Sequence, residues 1–189
     1  GPNCAGFANF VDGIFAFAFL VEERERGGNI GMISQSGQIV LGGLDSPNMG
    51  FSHVISSGNS CNVKVEDYLD FLVDDEDTKV VAAYMEGVTK PEKLVAAFQK
   101  AALKKKPVVV LKTGRSAKSQ ELAKSHTGSL SGADKVLRAV FKRYGVVEAG
   151  ALEELMSLAA AFSWLEELPK GERCVFMNVS GGEAGVMAD

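Results

Sequence analysis

From Gly27 onward the chain alternates short, β-rich apolar runs with stretches whose apolar residues recur at helical spacing. That alternation is the pattern of one parallel sheet with helices on both of its faces. Five runs carry it, at residues 29–34, 51–56, 80–85, 108–111 and 145–147, each short, apolar and bounded by Gly, Pro, Ser or Lys. Continuous apolar runs of this kind suit strands buried on both sides.

The intervening stretches read as helices. Residues 65–72 form one; residues 91–103 form another, with Leu94, Val95, Phe98, Ala101 and Ala102 on a single face. Thr89 and Glu92 predict a capping box ahead of it. Lys104, Lys105 and Lys106 complement the negative end of its dipole and Pro107 stops it, so this charge run reads as helix punctuation and not as a binding patch. Residues 133–144, striped by Val136, Leu137, Val140 and Phe141, and residues 151–168, striped by Leu152, Leu155, Met156, Leu158, Ala159 and Phe162, complete the set. After Pro169 and Gly171 a strand is expected at 173–179, then the turn Ser180-Gly181-Gly182 toward a further helix. The expected organisation is a five-stranded α/β domain over residues 1–150, a connecting helix at 151–170, and the start of a second α/β subdomain at 171–189. Opening on Gly-Pro-Asn-Cys without a Met and stopping just after a turn, the chain is expected to be a fragment.

Composition excludes several classes. With 46% hydrophobic and 23% charged residues in 189, the chain has globular proportions, unlike disordered, collagen-like or disulfide-scaffold sequences. Twenty basic against 24 acidic residues leave a net charge of −4, which implies no general attraction to nucleic acid or to an anionic membrane. The apolar run at 14–21 is too short to cross a bilayer and lacks the basic region of a signal peptide. Cys4, Cys61 and Cys174 are odd in number, widely spaced and without C-x-x-C, so neither a disulfide framework nor a zinc site is legible and a reducing, cytoplasmic setting fits.

Two segments carry chemistry. Ser34-Gln35-Ser36-Gly37 follows the first strand and opens a helix, where backbone N–H groups point at an anion. A serine-hydrolase elbow needs Gly two positions before and after the nucleophile, but Ser34 and Gln38 flank Ser36. The dinucleotide fingerprint is absent here and the phosphate-loop motif is absent throughout, which leaves an anion-binding turn or a plain helix cap. The second segment is the polar loop at 124–132, which holds His126 beyond a strand's carboxyl end. An imidazole there can act as acid, base, metal ligand or covalent nucleophile. Metal binding is disfavoured, because no second His and no carboxylate lies within four residues of His126. The other histidine, His53, sits inside an apolar strand and reads as a core or half-buried residue. Glu86, at a strand end in Tyr84-Met85-Glu86-Gly87, either accepts Nδ1–H from an imidazole or is a solvated carboxylate.

In order along the chain, Gly1-Pro2-Asn3-Cys4-Ala5-Gly6, Gly31-Met32-Ile33-Ser34-Gln35-Ser36-Gly37, Gly50-Phe51-Ser52 to Ser57-Gly58-Asn59, Tyr84-Met85-Glu86-Gly87 and Ser125-His126-Thr127-Gly128-Ser129-Leu130 resemble the NDP-forming acyl-CoA synthetases, the superfamily of succinyl-CoA synthetase and ADP-forming acetyl-CoA synthetase. The resemblance implies a flavodoxin-like, five-stranded parallel sheet and an acid-thiol ligase working through acyl phosphate and a phosphohistidine. It makes His126 that histidine and Glu86 its holder. It makes Ser36, Gly37, Thr127 and Gly128 phosphate contacts, and places Gly1, Pro2 and Asn3 near the acyl and CoA thiol site. It implies CoA and ATP or GTP with Mg²⁺ in the complete enzyme, none of them bound by motifs wholly inside this chain. It further implies a CoA-binding domain and an ATP-grasp domain as partners, a small carboxylic acid substrate and an oligomeric assembly. The stretch 38–48 is shorter than the family's helix there, and Gly42, Gly43 and Pro47 weaken it further. Two other readings are a CoA- or acyl-CoA-sensing module, as in synthetase-like regions of protein lysine acetyltransferases, and a structural subunit-interface domain.

Overall fold

The structure, a computed structural model, describes residues 3–18, 27–46, 49–114, 134–168, 170–171, 173, 175, 177 and 179–188. The strands are β1 (Gly6–Asn9), β2 (Ile14–Phe17), β3 (Gly27–Ser34), β4 (Phe51–Ser56), β5 (Val80–Met85), β6 (Val108–Lys112) and β7 (Val147–Ala149). The helices are α1 (Gly37–Asp45), α2 (Val65–Asp74), α3 (Pro91–Leu103), α4 (Asp134–Tyr144), α5 (Leu152–Trp164) and α6 (Gly181–Ala188). One seven-stranded sheet has the order β2-β1-β4-β3-β5-β6-β7. The five strands from β4 to β7 are parallel, and numbered along the chain their order is 2-1-3-4-5, the flavodoxin-like arrangement.

The two strands that sequence reading missed, β1 and β2, form an antiparallel hairpin on the β4 edge. Each has only four residues, too few to show a period, and at Gly6 (φ 111°) a Cβ would sit 2.0 Å from the Ala16 carbonyl oxygen, so the pairing requires glycine there. Side chains fill both faces of the sheet. Ile33, Val81, Ala83 and Val110 meet Leu69, Leu72, Leu94, Phe98 and Phe141 of α2, α3 and α4, while Met32, Ala82 and Val109 meet Val40, Leu44, Leu155 and Met156 of α1 and α5. Each of these buried Val, Leu, Ile, Phe and Met side chains contributes about 1.5–3 kcal/mol over its exposed state.

Several boundaries differ from the sequence reading, each for a local reason. The helix at α1 does form through Gly42 and Gly43, since a Cβ on Gly43 would sit 2.7 Å from Met32 Sδ and 3.0 Å from Met156 Cε. The glycine is what lets α1 lie close on the sheet. The expected Thr89/Glu92 capping box is not there. Lys90 is the N-cap of α3, and the buried carboxylate of Glu66 in α2 accepts from Thr89 N (2.7 Å) and Lys90 N (2.9 Å). A cap supplied across the fold has displaced the local one.

The lysine run serves the neighbouring helix and not the end of α3: Lys104 pairs with Asp74 at 2.6 Å, and Lys106 Nζ donates to the carbonyls of Leu72 (3.0 Å) and Asp75 (2.6 Å) at the end of α2. The last parallel strand lies at Val147–Ala149 and not at 145–147, because Gly145 (φ 68°) takes the left-handed position that ends α4, with Val146 N bonded to Phe141 O at 3.0 Å. α5 stops at Trp164, ahead of Glu166 and Glu167, whose charges oppose a helix C-terminus. Of the expected strand at 173–179 the structure describes residues 173, 175, 177 and 179, none of them in a strand, and Val175, Met177 and Val179 are almost fully exposed.

Candidate functional site at the reversal of strand order

In an open parallel sheet the carboxyl ends of the strands on either side of the order reversal bound a crevice, and here those strands are β3 and β5. At the end of β3, Ser34 Oγ accepts from Ser36 N (3.0 Å) and donates to Ser36 O (2.7 Å), which folds residues 34–36 into a tight turn. Ser36 becomes the N-cap of α1, in extended conformation (φ −107°, ψ 125°), and its hydroxyl makes no capping bond. Among the described residues, no side chain accepts from the leading N–H groups of α1, which begin at Gly37 at the positive end of the helix dipole.

Gln35 links this turn to the end of β5. Its main-chain N–H donates to Tyr84 O at 3.3 Å, and its side-chain Oε1 accepts from Glu86 N (2.5 Å) and Gly87 N (3.1 Å). Buried Lys112, at the end of β6, donates to the Glu86 carbonyl (2.9 Å) and to the Thr113 carbonyl. The carboxylate of half-buried Glu86 meets the Tyr84 hydroxyl at 3.4 Å, and that hydroxyl also lies 3.1 Å from Thr113 Oγ1. Burial pushes the Tyr84 phenol above its ordinary pKa, so it stays protonated and able to donate to Glu86. The main chain of Glu86 is therefore fixed from the end of β3 and from β6, while among the described residues its carboxylate has one phenolic partner.

Asn3 is at the same edge. Its amide donates to Asn59 Oδ1 at 3.2 Å, and Ala5 N donates to Ser56 Oγ at 3.0 Å. Glycine is required beside this segment at Gly58 (φ 53°), where a Cβ would meet the Asn3 carbonyl at 2.4 Å, while a Cβ on Gly37 would press on Ala5 Cβ at 3.1 Å.

Of the residues singled out from sequence, the structure thus brings Ser36, Gly37, Glu86 and Asn3 to one sheet edge. Gly1, Pro2, His126, Thr127 and Gly128 lie outside the described residues. His53 is buried in β4, in keeping with its reading as a core residue. Sequence reasoning missed Gln35, Tyr84, Lys112 and Thr113. Gln35 stood inside a quoted motif, but its acceptor role depends on a loop 51 residues away. Among the described residues, no group of three or more His, Cys, Asp or Glu is placed to hold a metal ion. No helix among them is long and apolar enough to cross a membrane.

The 2-1-3-4-5 sheet with a helix N-terminus and a carboxylate at its reversal defines a flavodoxin-like domain with an anion-favouring edge. Residues 27–162 match the succinyl-CoA ligase like flavodoxin domain, and the chain belongs to that family. It is 37% identical over 192 residues to the alpha subunit of acetate–CoA ligase (ADP-forming) II of Pyrococcus furiosus, covering 100% of this chain and 41% of the relative. It is 39% identical over 194 residues to the acetate–CoA ligase (ADP-forming) of Methanocaldococcus jannaschii, covering 100% and 26%. Among solved structures, the dinucleotide forming acetyl-coenzyme A synthetase 1 of Ca. Korarchaeum cryptofilum in complex with phosphate and ADP superposes with a TM-score of 0.81 at 30% identity, covering 92% of this chain and 38% of that one. The chain therefore spans less than half the length of each.

Proposed function

We propose that this chain is the phosphohistidine-bearing part of an ADP-forming acyl-CoA synthetase, an acid-thiol ligase. Acyl-CoA and phosphate give acyl phosphate and CoA. His126 then attacks phosphorus: the N–P bond forms, the P–O bond to the acyl group breaks, and the carboxylate leaves with its electron pair. The phosphoryl group passes from His126 to a nucleoside diphosphate. Glu86 accepts Nδ1–H of His126, so that the other ring nitrogen presents its lone pair to phosphorus. The N–H groups at Ser36 and Gly37, with Thr127 and Gly128, take up the charge of the phosphoryl oxygens. Gly1, Pro2 and Asn3 lie beside the acyl and thiol groups.

The observation that carries this reading is the Gln35 tie, which holds the α1 N-terminus and Glu86 together at the reversal of strand order. Identity of 37% and 39% to two ADP-forming acetate–CoA ligases supports the reaction class. CoA and ATP or GTP are the co-substrates, with Mg²⁺ as counter-ion to the nucleotide. The described residues offer no carboxylate cluster for that ion, and no step is assigned to it in this chain. A CoA-binding domain and an ATP-grasp domain supply the missing parts, in the cytoplasm and within an oligomer. Residues 1–150 form the domain, 151–170 connect it onward, and 171–189 begin the next unit.

The test is to incubate the full-length protein with ATP and Mg²⁺ and look for one acid-labile, alkali-stable phosphoryl group. His126→Ala removes the label and turnover together, and Glu86→Gln slows labelling by about 10²-fold, the scale of a misoriented catalytic group. Wild-type turnover by the His126→Ala protein overturns the relay.

A further inference from the structure

On the sheet face opposite α1, a cavity of about 490 Å³ opens between the β1–β4 pair and α2. The facing pairs Phe7–Ile55 and Asn9–His53 put four side chains on this side of the sheet, while Tyr68 and Phe71 of α2 and Val63 ahead of it form the opposite wall. Phe7, Val63 and Phe71 are each about half exposed here, an apolar lining of the size that small-molecule sites have.

One buried polar side chain is aimed into it. His53 has only 9% of its side chain exposed. Its Nδ1 is enclosed and lies 3.4 Å from Asp75 Oδ2, which also accepts from Thr78 Oγ1 (2.5 Å); Thr78 in turn lies 2.7 Å from Ser52 Oγ. The ring stands edge-on to Phe71 at 5.5 Å. Nδ1 itself makes no hydrogen bond, and the Asp75 carboxylate 3.4 Å away attracts a proton to it; Nε2 is the ring nitrogen left for the cavity, and no described residue hydrogen-bonds it.

We propose that this cavity binds an uncharged aromatic molecule bearing a hydroxyl group, its ring against Phe7, Tyr68 and Phe71 and its hydroxyl on His53 Nε2. A hydroxyl suits the imidazole because it both donates and accepts. Asp75 behind His53 disfavours an anion, and Asp67 in the wall offers little to a cation because Lys90 and Lys93 already hold it. The proposal is independent of the phosphoryl relay.

Titration of the full-length protein with p-cresol and with toluene, followed by ligand-observed NMR, tests it without any turnover readout. Wild type binds p-cresol about tenfold more tightly than toluene, the scale of one net hydrogen bond. His53→Leu lowers that ratio below about twofold while toluene still binds. Val63→Trp, at a half-exposed lining position, fills the cavity and weakens both ligands at least tenfold without touching the core. Equal binding of the two ligands to wild type, a ratio unchanged in His53→Leu, unaltered binding to Val63→Trp, or no saturable binding of either ligand each overturns the proposal.

Discussion

The side-chain oxygen of Gln35 accepts the main-chain N–H groups of both Glu86 and Gly87, at 2.5 and 3.1 Å. Two strand ends 51 residues apart in sequence are thereby tied into one edge, with the helix N-terminus on one side and the carboxylate on the other. Gln35→Ala removes the shared acceptor and lets the Glu86 turn drift. Because a misplacement of about 1 Å can cost 10²-fold, histidine phosphorylation in the full-length protein is expected to slow by about 10–10²-fold while the circular dichroism spectrum is retained. An unchanged labelling rate refutes the positioning role.

The two adjacent glycines of α1 are expected to respond with opposite signs. A Cβ on Gly43 meets Met32 Sδ at 2.7 Å, whereas one on Gly42 meets nothing nearer than Leu152 Cδ2 at 4.0 Å. Gly43→Ala therefore destabilises by about 1–3 kcal/mol through overpacking, at the low end if the flexible methionines yield. Gly42→Ala stabilises by about 0.4–1 kcal/mol. Urea unfolding midpoints of the two variants, compared with wild type, decide this.

Glu66 is 1% exposed and accepts the main-chain N–H groups of Thr89 and Lys90, the two residues that lead into α3. Glu66→Ala leaves both without that partner at a part-buried place, which costs about 1–3 kcal/mol. Glu66→Gln keeps an acceptor oxygen and loses only the charge, so it recovers more than half of the loss. Equal destabilisation of the two variants in chemical denaturation contradicts the capping role.

Asp67 carries a pH dependence whose sign is fixed. The hydrogen bond from Lys93 above all, and then that from the Lys64 main chain, holds its pKa at about 2 against an ordinary 3.8. A depressed carboxylate contributes stability that is present above its unfolded pKa and is lost as pH falls through the folded one. The stability gap between wild type and Asp67→Asn is thus full at pH 5, shrinks below about pH 4 and closes near pH 2. A gap that persists at pH 2 in urea titrations excludes the ion pair as its source.

The alternation of apolar runs and helical stripes determined the parallel core: strands at Phe51–Ser56 and Val80–Met85 and the helix at Pro91–Leu103 fall where the residues themselves put them. Those elements were legible because a buried strand or an amphipathic helix writes its period locally. The motif at Ser34 to Gly37 and the carboxylate at Glu86 were legible for the same reason, as residue types at the ends of strands. What no local pattern holds is which distant group a side chain meets. Only the tertiary structure decided that Gln35 fastens Glu86, that Glu66 and not Thr89 caps α3, and that Gly43 is a packing requirement and not a defect. It also added the β1–β2 hairpin, whose four-residue strands gain their stability from the β4 edge and not from their own sequence. Hydrogen bonds and close contacts across 23 to 51 residues depend on where the sheet brings the chain together, and the sequence specifies them only through the fold as a whole.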